Sequence, residues 1–116
     1  MGAYAPVPFV TPEFLGQVME EIIKPTLHGM KKEGYPFQGI LYCGLMVDEN
    51  GKPRVVEFNS RLGDPEAQVV LPLLDEDLFE LCWAVTEGDL GKYKEGLHRL
   101  GGAALCVVIA SKGYPQ

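Results

Sequence analysis

Residues 55–61 carry polar side chains at alternating positions of a run that is otherwise typical of a β-strand. Because successive side chains of a strand point to opposite faces, we expect Glu57, Asn59 and Arg61 to share one face. A carboxylate and an amide oxygen two residues apart, about 7 Å along a strand, can converge on one hard cation. Mg²⁺ accepts few protein oxygens when phosphates and water complete its octahedron. The pattern therefore predicts a metal–nucleotide site at Glu57 and Asn59.

The same alternation is also typical of a half-exposed edge strand. In that interpretation Val56 and Phe58 face the core while the polar side chains face solvent, and spacing alone favours it. The variety of polar side chains and the following loop, residues 63–66, favour a binding site instead, because loop residues held at a strand end frequently bind ligands. The residues by themselves leave both interpretations open.

Other metal and nucleophile chemistries do not fit the remaining candidates. Residues 48–59 have the length of a calcium-binding loop, but Pro53 stands where a sharp turn needs glycine and Asn59 where a bidentate glutamate is needed. The cysteines lack C-x-x-C spacing and lie in apolar runs, so we expect buried thiols of a reducing compartment. We expect the histidines at the surface and Trp83 in the core. These cysteines and histidines are Cys43, Cys82, Cys106, His28 and His98.

The composition fits one small globular domain. Of the 116 residues, 47% are hydrophobic and 22% are charged, which argues against a disordered chain and against a coiled coil. The net charge is -6 and the largest basic cluster is the pair Lys31-Lys32, so binding to nucleic acid is disfavoured. The sequence shows neither a secretory signal nor an apolar stretch that could span a bilayer, so we expect a cytoplasmic protein without a membrane partner.

Two helical stretches are predicted in the first third of the chain. The first begins at Thr11, whose side chain can cap free backbone N–H groups, and its apolar spacing continues to about Lys24. Pro25 should kink or restart this helix, because proline cannot join an uninterrupted hydrogen-bond ladder. The second stretch, residues 26–33, is expected to end at Gly34 in a left-handed cap.

An antiparallel strand pair follows. Residues 37–47 and 54–59 are strand-like, and Asn50-Gly51 between them is a hairpin signal because both turn residues tolerate positive φ. Residues 61–66 are predicted to form an ordered loop, and residues 77–85 a helix that ends near Gly88. A further strand is predicted at residues 103–110. The predicted fold class is α+β, with an antiparallel sheet and packed helices.

Four strings of the sequence carry a resemblance to a known family. They resemble, in the same order, successive motifs of glycinamide ribonucleotide synthetase (phosphoribosylamine–glycine ligase), an ATP-grasp family. E-F-N-x-R-x-G-D-P-E is the most specific, whereas E-x-N alone would indicate only the ATP-grasp superfamily. The strings are MGAYAPVP at residues 1–8, GILYCGLM at 39–46, EFNSRLGDPEAQ at 57–68 and ASKGYP at 110–115.

The resemblance implies part of an ATP-grasp domain. Residues 1–100 would be its C-terminal part and residues 101–116 the start of the family's C-terminal domain. The family is several times longer than this chain and has an N-terminal domain and a subdomain that covers the nucleotide. The chain is therefore expected to be a fragment whose partner is the remainder of the same enzyme, and to be inactive in isolation because positioning supplies much of the rate of phosphoryl transfer.

The activity implied by the resemblance is a step of purine biosynthesis. ATP serves as co-substrate for joining glycine to 5-phosphoribosylamine through a glycyl phosphate, which gives glycinamide ribonucleotide, ADP and phosphate. Two alternatives remain: a non-catalytic binding or structural module derived from an ATP-grasp domain, and a different ATP-grasp ligase of the purine pathway.

The resemblance also implies roles for single residues. Glu57 and Asn59 match the family's ligands for Mg²⁺ (or Mn²⁺), and two protein ligands are expected because residues 37–47 carry no further carboxylate. Arg61 matches an arginine near the reacting carboxylate and phosphoryl group, with a catalytic and substrate-binding role. Weaker assignments place Asp64, Gly2 and Tyr4 in substrate binding and Val56 in the nucleotide pocket.

Overall fold

The computed structural model describes residues 1–115, so Gln116, the last residue of the predicted 101–116 segment, lies outside the described residues. Within them, the chain forms four strands and four α-helices. The strands are β1 (Gly2–Ala5), β2 (Tyr42–Val47), β3 (Pro53–Asn59) and β4 (Ala104–Val107). The helices are α1 (Pro12–Val18), α2 (Lys24–Lys32), α3 (Ala67–Val70) and α4 (Leu78–Glu87), with a π-helical turn at Met19–Ile23 and 3₁₀ turns at Leu71–Leu73 and Gly91–Tyr93.

The four strands form two separate antiparallel pairs. β2 pairs with β3, and β1 pairs with β4, although nearly the whole chain separates β1 from β4. α3 packs against both β1 and β4. This arrangement confirms the predicted α+β class with antiparallel sheets. β4 lies in the segment that was expected to begin the next domain, and the boundary at residue 100 stays a prediction.

Pro25 interrupts the first helix in a specific way. Thr11 caps α1 as predicted, since its Oγ1 accepts a hydrogen bond of 3.2 Å from the backbone N–H of Phe14. Ahead of Pro25, which has no N–H to donate, the ladder widens into a π-helical turn in which the N–H of Lys24 reaches the carbonyl of Met19. α2 then runs to Lys32, and Gly34 follows it with a φ of 88°. The predicted restart at Pro25 is confirmed.

The hairpin of β2 and β3 is built around Asp48. The Asp48 carboxylate accepts hydrogen bonds from the backbone N–H groups of Asn50 (2.9 Å) and Lys52 (3.0 Å), and the Asp48 carbonyl accepts one from Gly51. Gly51 has a φ of 78°, whereas no residue other than glycine in residues 1–115 has a positive φ. The hairpin predicted at Asn50-Gly51 is therefore confirmed, and its turn needs positive φ only at Gly51.

Little of the chain is buried. Val18, Val69 and Leu73 are the buried hydrophobic residues of the described part, and the accessible surface is 9071 Å². A compact monomer of this mass exposes about 6,200 Å². Trp83 is 60% exposed and Cys82 is exposed, so the expectation that they lie in the core is wrong. The apolar face of α4, which carries both residues, is present as predicted, but no layer of residues 1–115 covers it.

The remaining surface expectations concern the other thiols and the histidines. Cys43 and Cys106 are half-buried, and all three cysteines are free thiols. His98 is exposed, as expected, and its Nδ1 lies 2.8 Å from Glu76 Oε1. None of the helices in residues 1–115 is long and apolar enough to cross a lipid bilayer.

Candidate functional site

The structure places Glu57 and Asn59 side by side on β3. Asn59 Nδ2 donates a hydrogen bond of 2.9 Å to Glu57 Oε1, which confirms that the two side chains share one face of the strand. Since this bond uses the amide nitrogen of Asn59, its Oδ1 has no hydrogen bond to any residue of the described part. The Glu57 carboxylate and the Asn59 amide oxygen are both hard donors suited to Mg²⁺.

The ligands for a cation at this pair would not all come from the described chain. Among residues 1–115, no three side chains of the His, Cys, Asp and Glu types are grouped closely enough to hold a metal ion. Glu57 and Asn59 could thus supply two positions, and oxygens of a bound nucleotide and water would complete the coordination. This arrangement fits a metal–nucleotide site better than a metal site made of protein alone.

Gly44 lies directly opposite Glu57 in the β2–β3 register. A Cβ atom at residue 44 would lie 3.0 Å from Glu57 Cγ, so the glycine leaves room for the carboxylate side chain. The register shifts just beyond this pair, because Leu45 pairs with Val55 and leaves Val56 as an extra residue of β3. Val56 is 65% exposed and Phe58 is 43% exposed, so the expectation that both face the core is wrong.

Arg61 does not share the strand face with Glu57 and Asn59, so that prediction is wrong. β3 ends at Asn59, which pairs with Tyr42, the first residue of β2. The ladder therefore has no partner left for the residues that follow, and the chain bends away. The Arg61 guanidinium donates a hydrogen bond of 2.9 Å to the carbonyl of Leu62. It borders an open, mostly apolar groove of about 1120 Å³ between the loop and α4.

The loop at residues 61–66 is held to β2 by its last residue. Glu66 Oε1 accepts a hydrogen bond of 3.1 Å from the hydroxyl of Tyr42. Burial, and after it the hydrogen bond and charge of Glu66, raise the pKa of Tyr42 above its ordinary value. Asp64 is exposed, and its Oδ1 accepts a hydrogen bond of 2.6 Å from Gln68 Nε2. Tyr42 was not predicted from the sequence, because its pairing with Asn59 depends on the register shift between Gly44 and Leu45.

Gly2 and Tyr4 lie on the other strand pair. Gly2 pairs with Val107, and a Cβ atom at residue 2 would lie 2.6 Å from the carbonyl oxygen of Cys106. Close packing of β1 against β4 is therefore enough to explain a glycine at this position. Tyr4 is 53% exposed and pairs with Leu105. Within residues 1–115 no hydrogen bond or ion pair connects these two residues to the Glu57–Asn59 pair, and their role in substrate binding stays a prediction.

Taken together, the α+β fold and the Glu57–Asn59 side-chain pair on an antiparallel hairpin fit the ATP-grasp class, and comparison with known proteins specifies which member. Residues 1–67 match the family model described as "Phosphoribosylglycinamide synthetase, ATP-grasp (A) domain". Because this match covers more than half of the chain, the chain belongs to the phosphoribosylglycinamide synthetase family.

Individual relatives agree with this assignment. The phosphoribosylamine–glycine ligase of Chlorobaculum tepidum is 56% identical over 116 residues, which are 100% of this chain and 27% of that protein. The enzyme of the same name from Pasteurella multocida is 47% identical over 115 residues, or 99% of this chain and 26% of that protein. The crystal structure of phosphoribosylamine–glycine ligase from Thermotoga maritima matches with a TM-score of 0.79 and 37% identity, covering 99% of this chain and 28% of that one. The chain thus spans about a quarter of the length of these relatives.

Proposed function

We propose that this chain forms the part of a phosphoribosylamine–glycine ligase that binds the catalytic metal and the nucleotide phosphates. The reaction of the whole enzyme would join glycine to 5-phosphoribosylamine with conversion of ATP to ADP and phosphate, as a step of purine biosynthesis. The names of the relatives support this assignment. The observation that carries it is the hydrogen bond from Asn59 Nδ2 to Glu57 Oε1, which places the Asn59 amide beside the Glu57 carboxylate on β3.

The donor set suits Mg²⁺ or Mn²⁺. Glu57 and Asn59 would hold the ion, and the hydrogen bond from the Asn59 amide nitrogen to Glu57 restricts the orientation of the Asn59 side chain. When bound, the ion neutralises phosphate charge during phosphoryl transfer. Val56, next to Glu57 and largely exposed, is available to contact the nucleotide.

Arg61 would bind the oxyanions of the reacting acid. In the first step of the proposed reaction, the γ-phosphoryl group of ATP passes to a carboxylate oxygen of glycine and gives ADP and glycyl phosphate. The amine of 5-phosphoribosylamine then attacks the acyl carbon, the C–N bond forms, the C–O bond to phosphate breaks, and the amine loses a proton. A guanidinium can hold carboxylate and phosphate oxygens in a fork, which suits both steps. Asp64, Gly2 and Tyr4 remain proposed substrate contacts.

The proposal includes the remainder of the ligase as the chain's partner. The exposed surface exceeds that of a compact monomer by about 2,900 Å², and much of it is apolar. An area of this size is typical of obligate protein contacts. Residues 1–116 alone should therefore show no ligase turnover, because they cannot exclude water or hold both substrates.

The test uses a hybrid ligase, defined as the Chlorobaculum tepidum enzyme in which this chain replaces the matching segment. We expect the folded hybrid to form ADP only when glycine and 5-phosphoribosylamine are both present, as measured by a coupled ADP assay. ADP formation that requires another acid or amine would point to a different purine-pathway ligase. A hybrid that folds but forms no ADP would support a non-catalytic module and contradict the proposal.

A further inference from the structure

The segment that carries Arg61 is held at both of its ends. On one side Asn59 is fixed in the β2–β3 ladder by its pairing with Tyr42. On the other side Glu66 returns to the same Tyr42, whose hydroxyl donates a hydrogen bond of 3.1 Å to the Glu66 carboxylate. Tyr42 thus contacts the polypeptide both before and after Arg61. Loss of either contact would release one end of the segment.

Gly63 makes the second contact possible. Gly63 is buried, and a Cβ atom at this residue would lie 2.9 Å from Glu66 Cδ and 3.2 Å from Glu66 Cβ. The Gly63 carbonyl accepts a hydrogen bond of 2.9 Å from the N–H of Ala67, at the start of α3. The space beside Gly63 is therefore filled by the Glu66 side chain, which leaves its Oε1 toward Tyr42.

We propose that the Tyr42–Glu66 hydrogen bond is a positioning contact that holds Arg61 where it can bind the oxyanions of the reacting acid and phosphoryl group. This inference rests on the proposed function, because it assigns Arg61 to that reaction. Glu66 acts through Arg61 and not on substrate, since its carboxylate is half-buried and engaged by Tyr42. A displacement of about 1 Å at a reacting group lowers an enzymatic rate by up to about a hundredfold.

The experiment compares four variants of the hybrid ligase: Tyr42→Phe, Glu66→Ala, Glu66→Gln, and the double variant Tyr42→Phe with Glu66→Ala. Tyr35→Phe is the matched control, because Tyr35 is exposed and lies outside the site. For each protein we would measure kcat, the KM for glycine, and the melting temperature. Tyr42→Phe preserves the ring and removes only the hydroxyl donor, so it separates the hydrogen bond from packing.

We expect Tyr42→Phe and Glu66→Ala each to lower kcat by about tenfold. The double variant should be no slower than the slower single variant, because both remove the same bond. Glu66→Gln should stay within about twofold of the hybrid, since its amide oxygen can still accept from Tyr42. Tyr35→Phe should leave kcat unchanged.

Three results would overturn the inference. The first is a Tyr42→Phe variant whose kcat matches that of the hybrid. The second is a Glu66→Gln variant as slow as Glu66→Ala, which would indicate direct action of the carboxylate on substrate. The third is a loss of melting temperature with unchanged kcat, which would indicate a structural role alone. These results are distinct from failure of the proposed function, which an inactive but folded hybrid would reveal before any substitution is made, and which would remove this inference as well.

Discussion

Replacing Gly44 by alanine should disturb the metal site without unfolding the chain. Gly44 does not have a positive φ, so alanine can adopt its backbone conformation. The new Cβ atom would lie 3.0 Å from Glu57 Cγ, 3.6 Å from the Glu57 carbonyl oxygen and 3.7 Å from Tyr42 Cε1. Carbon atoms in favourable contact are about 3.5–4.0 Å apart. The Glu57 side chain must therefore move by roughly half an ångström.

This movement can be converted into expected effects. It disturbs the 2.9 Å bond between Asn59 and Glu57, and hence the alignment of the two oxygens. Since a misplacement of about 1 Å can cost a hundredfold in rate, half of that distance corresponds to about tenfold. The stability change should stay within about 1 kcal/mol, because the crowding is partly offset by the lower entropy of the unfolded chain.

The assay is ADP formation by the hybrid ligase as a function of Mg²⁺ concentration. Gly44→Ala should raise the Mg²⁺ concentration for half-maximal rate and lower the maximal rate. Gly16→Ala is the matched control, because a Cβ at that exposed helix position would meet no atom within 4 Å apart from the neighbouring helix backbone. It should leave the Mg²⁺ dependence unchanged and stabilise α1 by about 0.5–1 kcal/mol. Identical Mg²⁺ curves for Gly44→Ala and the hybrid would refute this reasoning.

Two further predictions concern local stability. Thr11→Ala removes the cap of α1 and should cost about 1 kcal/mol of helix stability, so the amide hydrogen of Phe14 should exchange about fivefold faster; unchanged exchange would contradict the capping role. The backbone N–H of Lys52, aided by Arg54, holds the pKa of Asp48 below its ordinary value of 3.8. The ionised Asp48 carboxylate therefore stabilises the folded chain above that pH, and this stabilisation is lost as the pH falls through the lower pKa of the folded state. The difference in unfolding free energy between the hybrid and its Asp48→Asn variant should therefore shrink on acidification from about pH 5 to about pH 3, and a constant difference would contradict this.

Local signals in the sequence predicted most of the secondary structure. Thr11 caps α1 where the sequence indicated, and Gly34 and Gly88 lie in the left-handed region at the ends of helices that were predicted to stop there. These features depend on residues within one turn of each other, so sequence alone contains them. The sequence predicted an interruption of the helix at Pro25 but not that it would be a π-helical turn. A proline requires that the hydrogen-bond ladder be interrupted and does not determine how.

The site was predictable where it depends on strand periodicity and not where it depends on strand length. Glu57 and Asn59 share a face because alternation within β3 requires it. Arg61 lies outside this face because the β2–β3 ladder ends at the Tyr42–Asn59 pair, and the sequence alone could not locate that end. Likewise, periodicity identified the apolar face of α4 but could not show whether anything covers Trp83.

The central claim is that Glu57 and Asn59 hold the metal of a ligase, and substitution of these two residues tests it most directly. In the hybrid, Glu57→Ala and Asn59→Ala should each reduce Mg²⁺-dependent ADP formation by at least about a hundredfold at an unchanged melting temperature. The matched controls Glu49→Ala and Asn50→Ala, on exposed residues of the same hairpin, should retain full activity. Full activity in Glu57→Ala or Asn59→Ala would contradict the account.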